Sequence, residues 1–173
     1  MHILVTNDDG VRAPGLLALA EAAEAFGKVT ILAPNRNWSA GGHVKTLTRP
    51  LRVEDVELAN GRSAITCDGA PSDCVALADL GIVAEPIDLV VSGINAGPNL
   101  GHDVTYSGTV TAAMEAVIAG IPGIAFSYGG YTSSYDLEAG KAIVQQVLEK
   151  VLAHPLDKRM LLSVNIPLLS IEE

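Results

Sequence analysis

The sequence predicts a doubly wound α/β fold with three layers, a mostly parallel central sheet and an antiparallel hairpin insert. Three observations predict it. Short apolar runs closed by turn residues alternate with segments of helical composition and spacing. One run, Ile87–Ser92, is apolar apart from Asp88, as suits a central parallel strand buried on both faces. Asn60-Gly61 lies between two short β-rich runs, the best hairpin signal in the chain.

His2–Thr6 reads as the first strand, ended by Asn7-Asp8-Asp9-Gly10, a strong turn signal. Pro14 and Gly15 open a helix over Leu16–Phe26, and Gly27 stops it. Val29–Ala33 is the next strand, closed by Pro34, so the opening segment reads as one βαβ unit. Asn35–Arg49 is polar and aperiodic, hence a loop. Leu51–Leu58 alternates and Ser63–Cys67 follows the Asn60-Gly61 turn. Ser72 is expected to cap a helix running to about Leu80, with Asp73 in its first turn. After Ile87–Ser92, Gly93–Ser107 reads as a long Gly/Asn-rich loop. Gly108–Ala119 is a small-residue helix ended by Gly120 and Pro122, and Gly123–Ser127 is a strand. Leu137–Leu152 has helical spacing at Ile143, Val147 and Val151, and Leu161–Ile166 is the last strand. Residues 1–173 read as a single domain, although Leu168–Glu173 do not end like one and look cut.

Composition narrows the function. With 173 residues, 49% of them hydrophobic, the chain can bury a sizeable core. Aromatics are only 4%, so Ala, Val, Leu and Ile must fill that core, which suits close helix-on-sheet packing. Eleven basic against twenty acidic residues give a formal charge of -9, which argues against duplex nucleic acid as a partner. A small phosphorylated ligand stays compatible, because a divalent cation can supply local positive charge. Cys67 and Cys74 have no zinc-like spacing and read as reduced, mostly buried thiols of a cytoplasmic protein. No secretory leader opens the chain, and no apolar run approaches a bilayer span, so no membrane partner is expected.

In an open α/β sheet the ligand site lies beyond the carboxyl ends of the strands. Thr6, Asn7, Asp8 and Asp9 follow the first strand, and Asn35, Asn37 and Ser39 follow the second. Ser92, Asn95, Asn99, His102, Asp103, Ser107 and Thr109 follow the central one. Adjacent carboxylates with an amide and a hydroxyl make a hard-oxygen ligand set, suited to Mg²⁺, Mn²⁺ or Ca²⁺ rather than zinc. The competing reading is a solvated turn in which Asp caps the next helix. Ser92–Gly101 is rich in Gly and Asn, which admit an anion closely or bind oxygens; a plain surface loop is the alternative. Ser107, Gly108 and Thr109 open a predicted helix, where free N–H groups bind phosphate; an ordinary Ser N-cap is the alternative. Together, a metal set and an anion-binding helix end make a phosphate-ester hydrolysis site coherent. His43 and His102 are candidate acid/base or phosphate-donor groups, and equally ordinary loop residues. Trp38 and Tyr106 are candidates for stacking on a base. A dinucleotide GxGxxG fingerprint and a Walker A lysine are absent.

Five motifs resemble the SurE survival-protein family of 5′/3′-nucleotidases and exopolyphosphatases. They are Thr6-Asn7-Asp8-Asp9-Gly10, Ala33-Pro34 with Ser39, Gly69-Ala70-Pro71-Ser72-Asp73-Cys74, Ser92-Gly93-Ile94-Asn95 and Tyr106-Ser107-Gly108-Thr109-Val110. They fall in the family's order and cover nearly the whole chain. The resemblance implies a Rossmann-like core and one divalent cation per subunit, Mg²⁺ or Mn²⁺, held by Asp8, Asp9, Ser39 and Asn95. It implies hydrolysis of nucleoside monophosphates, with phosphate near Asn99 and Ser107-Gly108-Thr109. It also implies a homodimer or homotetramer, and a family C-terminal third that is missing here. Ala70 stands where the family usually has Thr, and Asn35 where Asp is common.

The expected reaction is attack by water on a metal-bound phosphate. Asp8 or Asp9 positions or deprotonates the water; Asn95, Asn99 and Ser107 hold the phosphate, with Asn7 beside them. An aspartyl nucleophile, or a non-enzymatic nucleotide-binding regulator using the same pocket, are the rival readings.

Overall fold

A computed structural model describes residues 1–132, 134–157 and 159–168. The expectation that Leu168–Glu173 look cut falls mostly on residues 169–173, which lie outside the described residues. Seven strands form one sheet: β1 (His2–Thr6), β2 (Lys28–Pro34), β3 (Val53–Glu57), β4 (Ser63–Cys67), β5 (Leu89–Asn95), β6 (Gly123–Tyr128) and β7 (Leu161–Ile166). Their spatial order is β3-β4-β2-β1-β5-β6-β7. Every pairing is parallel except β3 with β4, the predicted hairpin at one edge. The turn between them places Gly61 at φ +79, the left-handed region that Asn-Gly hairpin turns require.

Four helices cover the sheet: α1 (Pro14–Ala23), α2 (Pro71–Leu77), α3 (Gly108–Ile118) and α4 (Leu137–Ala153). α1 packs on α4, and α2 on α3. The central strands send alternate side chains to the two sides. Ile3 and Val5 of β1, with Val91 of β5, join Leu16 and Leu19 of α1 and Leu148 of α4. Leu4 and Val90 join Val75 of α2 and Ala112 and Ala116 of α3. Both faces of β1 and β5 are therefore buried, which is why these strands read as continuous apolar runs. Small residues on α3 bring it close to the sheet. A Cβ at Gly123 would lie 2.3 Å from the Ala113 carbonyl oxygen, so β6 must begin with glycine under that helix.

Most boundaries shift by one to three residues from the sequence expectation, and three differences go further. The central strand starts at Leu89 rather than Ile87 and continues through Gly93, Ile94 and Asn95, which had read as loop. Gly93 sits at φ +134, and a Cβ there would lie 2.2 Å from the Phe126 carbonyl oxygen. Its glycine thus marks close contact with β6, not a flexible loop. The rest of that segment includes a short 3-10 turn, Gly101–Thr105. Third, Ser72 does not cap α2: Ala70 is in the cap position, and α2 ends at Leu77. Asp73 reaches back instead, and its Oδ2 accepts the Ala70 N–H at 2.9 Å. The Ser72 hydroxyl donates to the Val44 carbonyl.

The chain crosses from β4 through α2 to β5, on the far side of β1. The order therefore reverses between β1 and β5, and a crevice opens at their carboxyl ends. Among the described residues no helix is long and apolar enough to cross a membrane.

Phe126 has no exposed surface and packs among the β-strands under α1 and α4. Phe126→Ala is expected to cost about 3–5 kcal/mol, read as a fall in the urea midpoint with little change in slope.

Candidate active site

The first βα turn is built by Asn7. Its Nδ2 donates to the Gly10 carbonyl and its Oδ1 accepts the Gly10 N–H, both at 3.1 Å. Gly10 sits at φ +104, and Val11 N–H donates to the Pro34 carbonyl at 2.8 Å. The turn is thereby tied to the end of β2, and Asp8 and Asp9 are presented at the switch point. Asn7, expected near phosphate, turns both the oxygen and the nitrogen of its amide to Gly10 and is not among the residues lining the cleft.

Asp8 is 3% exposed. The Thr109 hydroxyl donates to its Oδ1, and the backbone N–H groups of Gly108 and Thr109 also hold it. A Cβ on Gly108 would lie 2.7 Å from the Asp8 Cβ. The N-terminal amides of α3 are thus directed at a protein carboxylate. The sequence reading had offered Gly108 and Thr109 to phosphate; the structure gives them to Asp8, and only Ser107 of the three lines the cleft. Burial pushes the Asp8 carboxyl up, against the lowering effect of these hydrogen bonds. Asp9 is less buried; its Oδ1 accepts from Asn37 Nδ2 at 3.3 Å and its Oδ2 from the Ala96 N–H at 3.2 Å. Burial, then the neighbouring Asp8 charge, push the Asp9 carboxyl up as well.

A cleft of about 340 Å³ opens over this pair. It is lined by Asp8, Asp9, Ser39 and Asn95, the four residues that the family resemblance implied as cation ligands, and by Asn99 and Ser107. Asp103, Tyr106 and Tyr131 complete the polar rim. Among the described residues, no lysine or arginine lines it. Ser39 reaches the cleft on the loop after β2, where its N–H donates to Asn37 Oδ1 at 2.7 Å and Trp38 N–H donates to the Asp8 carbonyl at 2.7 Å. Asn95 donates through Nδ2 to the Gly97 carbonyl at 2.8 Å, which leaves its Oδ1 for a cation. Ser107 Oγ accepts the Val110 N–H, which leaves its proton for another acceptor. Two close carboxylates with raised proton affinity, flanked by neutral oxygen donors, fit a hard divalent cation.

Two residues at this edge escaped the sequence reading. Asn165 on β7 clamps Asn99: its Oδ1 accepts the Asn99 N–H at 2.9 Å, and its Nδ2 donates to the Asn99 carbonyl at 3.1 Å. Ser127 Oγ accepts from Asn99 Nδ2 at 2.8 Å. Their only sequence signal is position, as polar residues near the ends of apolar strands. The histidines are not brought in. His43 pairs with Glu115 on α3 at 2.8 Å, away from the cleft. His102 is exposed on the 3-10 turn and does not line it. Trp38 lies under the Arg36 guanidinium, 4.5 Å from its ring centroid, and Tyr106 alone of the two stacking candidates reaches the rim.

Fold and site together define an α/β protein with a paired-carboxylate cleft at its topological switch point. The profile of the family described as "Survival protein SurE" matches residues 3–173, and the chain belongs to that family. Similar curated proteins include "5′-nucleotidase SurE" from Herpetosiphon aurantiacus, 52% identical over 96% of this chain and 66% of the relative. The protein of the same name from Geobacter sulfurreducens is 51% identical over 100% of this chain and 64% of the relative. The chain therefore spans about two thirds of the length of these relatives. The crystal structure of the SurE protein from Aquifex aeolicus superposes with a TM-score of 0.89 at 42% identity, covering 100% of this chain and 68% of that one.

The raised Asp9 carboxyl yields a stability prediction. Its folded pKa exceeds the unfolded one, so its contribution is present below the ordinary Asp range and lost as pH rises through the folded value. In cation-free buffer at neutral pH, Asp9→Asn should raise Tm by about 2–4 °C. That gain should shrink as pH falls and vanish below the ordinary Asp range. Added Mg²⁺ or Mn²⁺ is expected to raise the Tm of the unaltered chain in calorimetry, and the same variant should lose most of that increase.

Proposed function

We propose that this protein is a divalent-cation-dependent phosphomonoesterase that hydrolyses nucleoside monophosphates to nucleoside and phosphate. One observation carries the reading: among the described residues, three carboxylates and no basic side chain line the cleft, beside hydroxyl and amide donors suited to phosphate. An anion enters such a site only when a cation has first reversed its charge. The name of the relatives, 5′-nucleotidase, supports the choice of ester.

Asp8, Asp9, Ser39 and Asn95 would hold the cation. When bound, it neutralises the phosphoryl oxygens and activates water for attack. The protein groups divide the remaining work. Asp8 is fixed by α3 and acts as an immobile anchor. Asp9 is the more exposed of the pair and orients the attacking water, accepting its proton. The Ser107 hydroxyl donates to a phosphoryl oxygen. Asn99 has one Nδ2 proton engaged by Ser127 and offers the other to the same group. Action on 3′-monophosphates and on polyphosphate, assembly into dimers or tetramers, and Mg²⁺ or Mn²⁺ as the cation belong to the same reading. So does one catalytic domain over residues 1–173.

The direct measurement is phosphate release from a nucleotide panel with several divalent cations and a chelator control. Chelator-sensitive turnover is expected, with Asp8→Asn and Asp9→Asn each at least about a hundredfold slower, or ~2.7 kcal/mol. Wild-type turnover in both variants would overturn the assignment, and nucleotide binding without any turnover would make the protein a regulator. Asn165→Ala frees the Asn99 backbone, so it should raise KM severalfold more than it lowers kcat in steady-state assays.

A further inference from the structure

Residues 35–52 join β2 to β3 without helix or strand, yet they supply Ser39, one of the four residues proposed to hold the cation. Upstream of Ser39 the loop is tied to the carboxylates themselves, by Trp38 N–H on the Asp8 carbonyl and Asn37 Nδ2 on Asp9. Downstream it leaves the cleft and runs as a strap along α3. The Gly42 N–H donates to the Tyr106 carbonyl at 2.9 Å, and the Thr111 hydroxyl donates to the Gly42 carbonyl at 3.1 Å. One turn farther, Glu115 Oε2 lies 2.8 Å from His43 Nε2, and its Oε1 accepts from Lys45 Nζ at 2.6 Å. Ser107, Thr111 and Glu115 are four residues apart, so they share one stripe of the helix. The stripe begins at the cleft, which Ser107 lines, and ends at Glu115.

Glu115 is the only charged residue of α3 and is 7% exposed. A carboxylate so buried needs partners. Both of its oxygens find them on the strap. We propose that Glu115 is a positioning residue: its grip on His43 and Lys45 holds the strap along α3 and so keeps Ser39 at the cleft. The inference rests on the phosphomonoesterase reading for its cation, and it adds a residue that touches neither cation nor substrate. α3 then sets two ligands against each other. Its first turn holds Asp8, and its third turn holds Ser39 through the strap. Val44 and Thr46 are tied separately to Ser72 and Asp73 of α2, so loss of Glu115 loosens the strap without detaching it. The effect is therefore graded, and it falls on Ser39 while the Thr109–Asp8 contact stays in place.

Glu115→Gln keeps the size of the side chain and removes its charge. Mn²⁺ binding is measured by electron paramagnetic resonance, without substrate. The Kd should rise about tenfold, as when a group supporting a metal ligand is lost. In a Ser39→Ala background the same substitution should raise it less than about twofold, because residues that act through one another are not additive. Val144→Ala, in the core beneath α4, is the control: it should lower Tm and leave the Kd in place. Trp38 is the single tryptophan and precedes Ser39, so it reports the strap directly. Its quenching by acrylamide should rise by at least about half in Glu115→Gln and stay unchanged in Val144→Ala. A tenfold effect that persists in the Ser39→Ala background overturns the proposal, as does an equal effect in Val144→Ala. So does a Trp38 signal unmoved by Glu115→Gln. The two readings fail separately. If the unaltered chain binds no Mn²⁺, the cation-dependent hydrolase reading is lost, and the Trp38 measurement decides the placement alone.

Discussion

Asp8 is 3% exposed, and a carboxylate so far from water needs partners for its charge. The N-terminus of α3 provides them through the Thr109 hydroxyl and the backbone of Gly108 and Thr109. This contact joins the end of β1 to the start of a helix about a hundred residues later in the chain. It demands glycine at 108, because a side chain there would strike Asp8. It also demands that α3 sit close to the sheet, which its small residues and Gly123 permit. The anion-binding power of a helix end is thus used to keep a protein carboxylate in place at the floor of the cleft.

The loop after β2 is held with similar care. Glu115 on α3 is 7% exposed and takes both His43 at 2.8 Å and Lys45 at 2.6 Å. Asp73 on α2 accepts from the Thr46 N–H and hydroxyl, at 3.0 and 2.7 Å. Thr111 donates to the Gly42 carbonyl at 3.1 Å, and the Gly42 N–H donates to Tyr106 at 2.9 Å. A polar segment without regular structure therefore lies fixed across α2 and α3. Ser39 and Ala40, just upstream, line the cleft as a result. His43, a candidate for proton transfer on sequence grounds, serves as one end of this strap.

The cleft and a cavity that adjoins it differ in character on the two sides of Asp9. Carboxylates, amides and hydroxyls line one side. Mostly apolar walls line the other. Asp9 stands between them, with Asn37 on one oxygen and the Ala96 N–H on the other. Both partners come from the ends of neighbouring elements, the loop after β2 and the end of β5. The switch point of the sheet thus fixes Asp9 between the two cavities.

The sequence by itself determined the order and type of the elements, because each is written in local patterns. β1 and β7 fall on the expected residues, and the Asn60-Gly61 hairpin forms where its turn chemistry requires. It also determined which residues gather at the cleft, since Asp8, Asp9, Ser39, Asn95, Asn99 and Ser107 all follow strands or open a helix at one sheet edge. Tertiary structure alone decided what each polar group faces. Gly108 and Thr109 looked like a phosphate cradle, but helix-end amides bind whichever anion the fold brings to them, and here that is Asp8. Asn7 looked like a ligand and closes a turn. Gly93 looked like loop and lies in a strand, because its lack of a side chain answers to Phe126 on the next strand rather than to its own neighbours. Asn165 gave no local signal, since its role depends on β7 lying beside β6. Local pattern records backbone preference and burial, whereas hydrogen-bond partners distant in sequence are chosen only once the layers have packed.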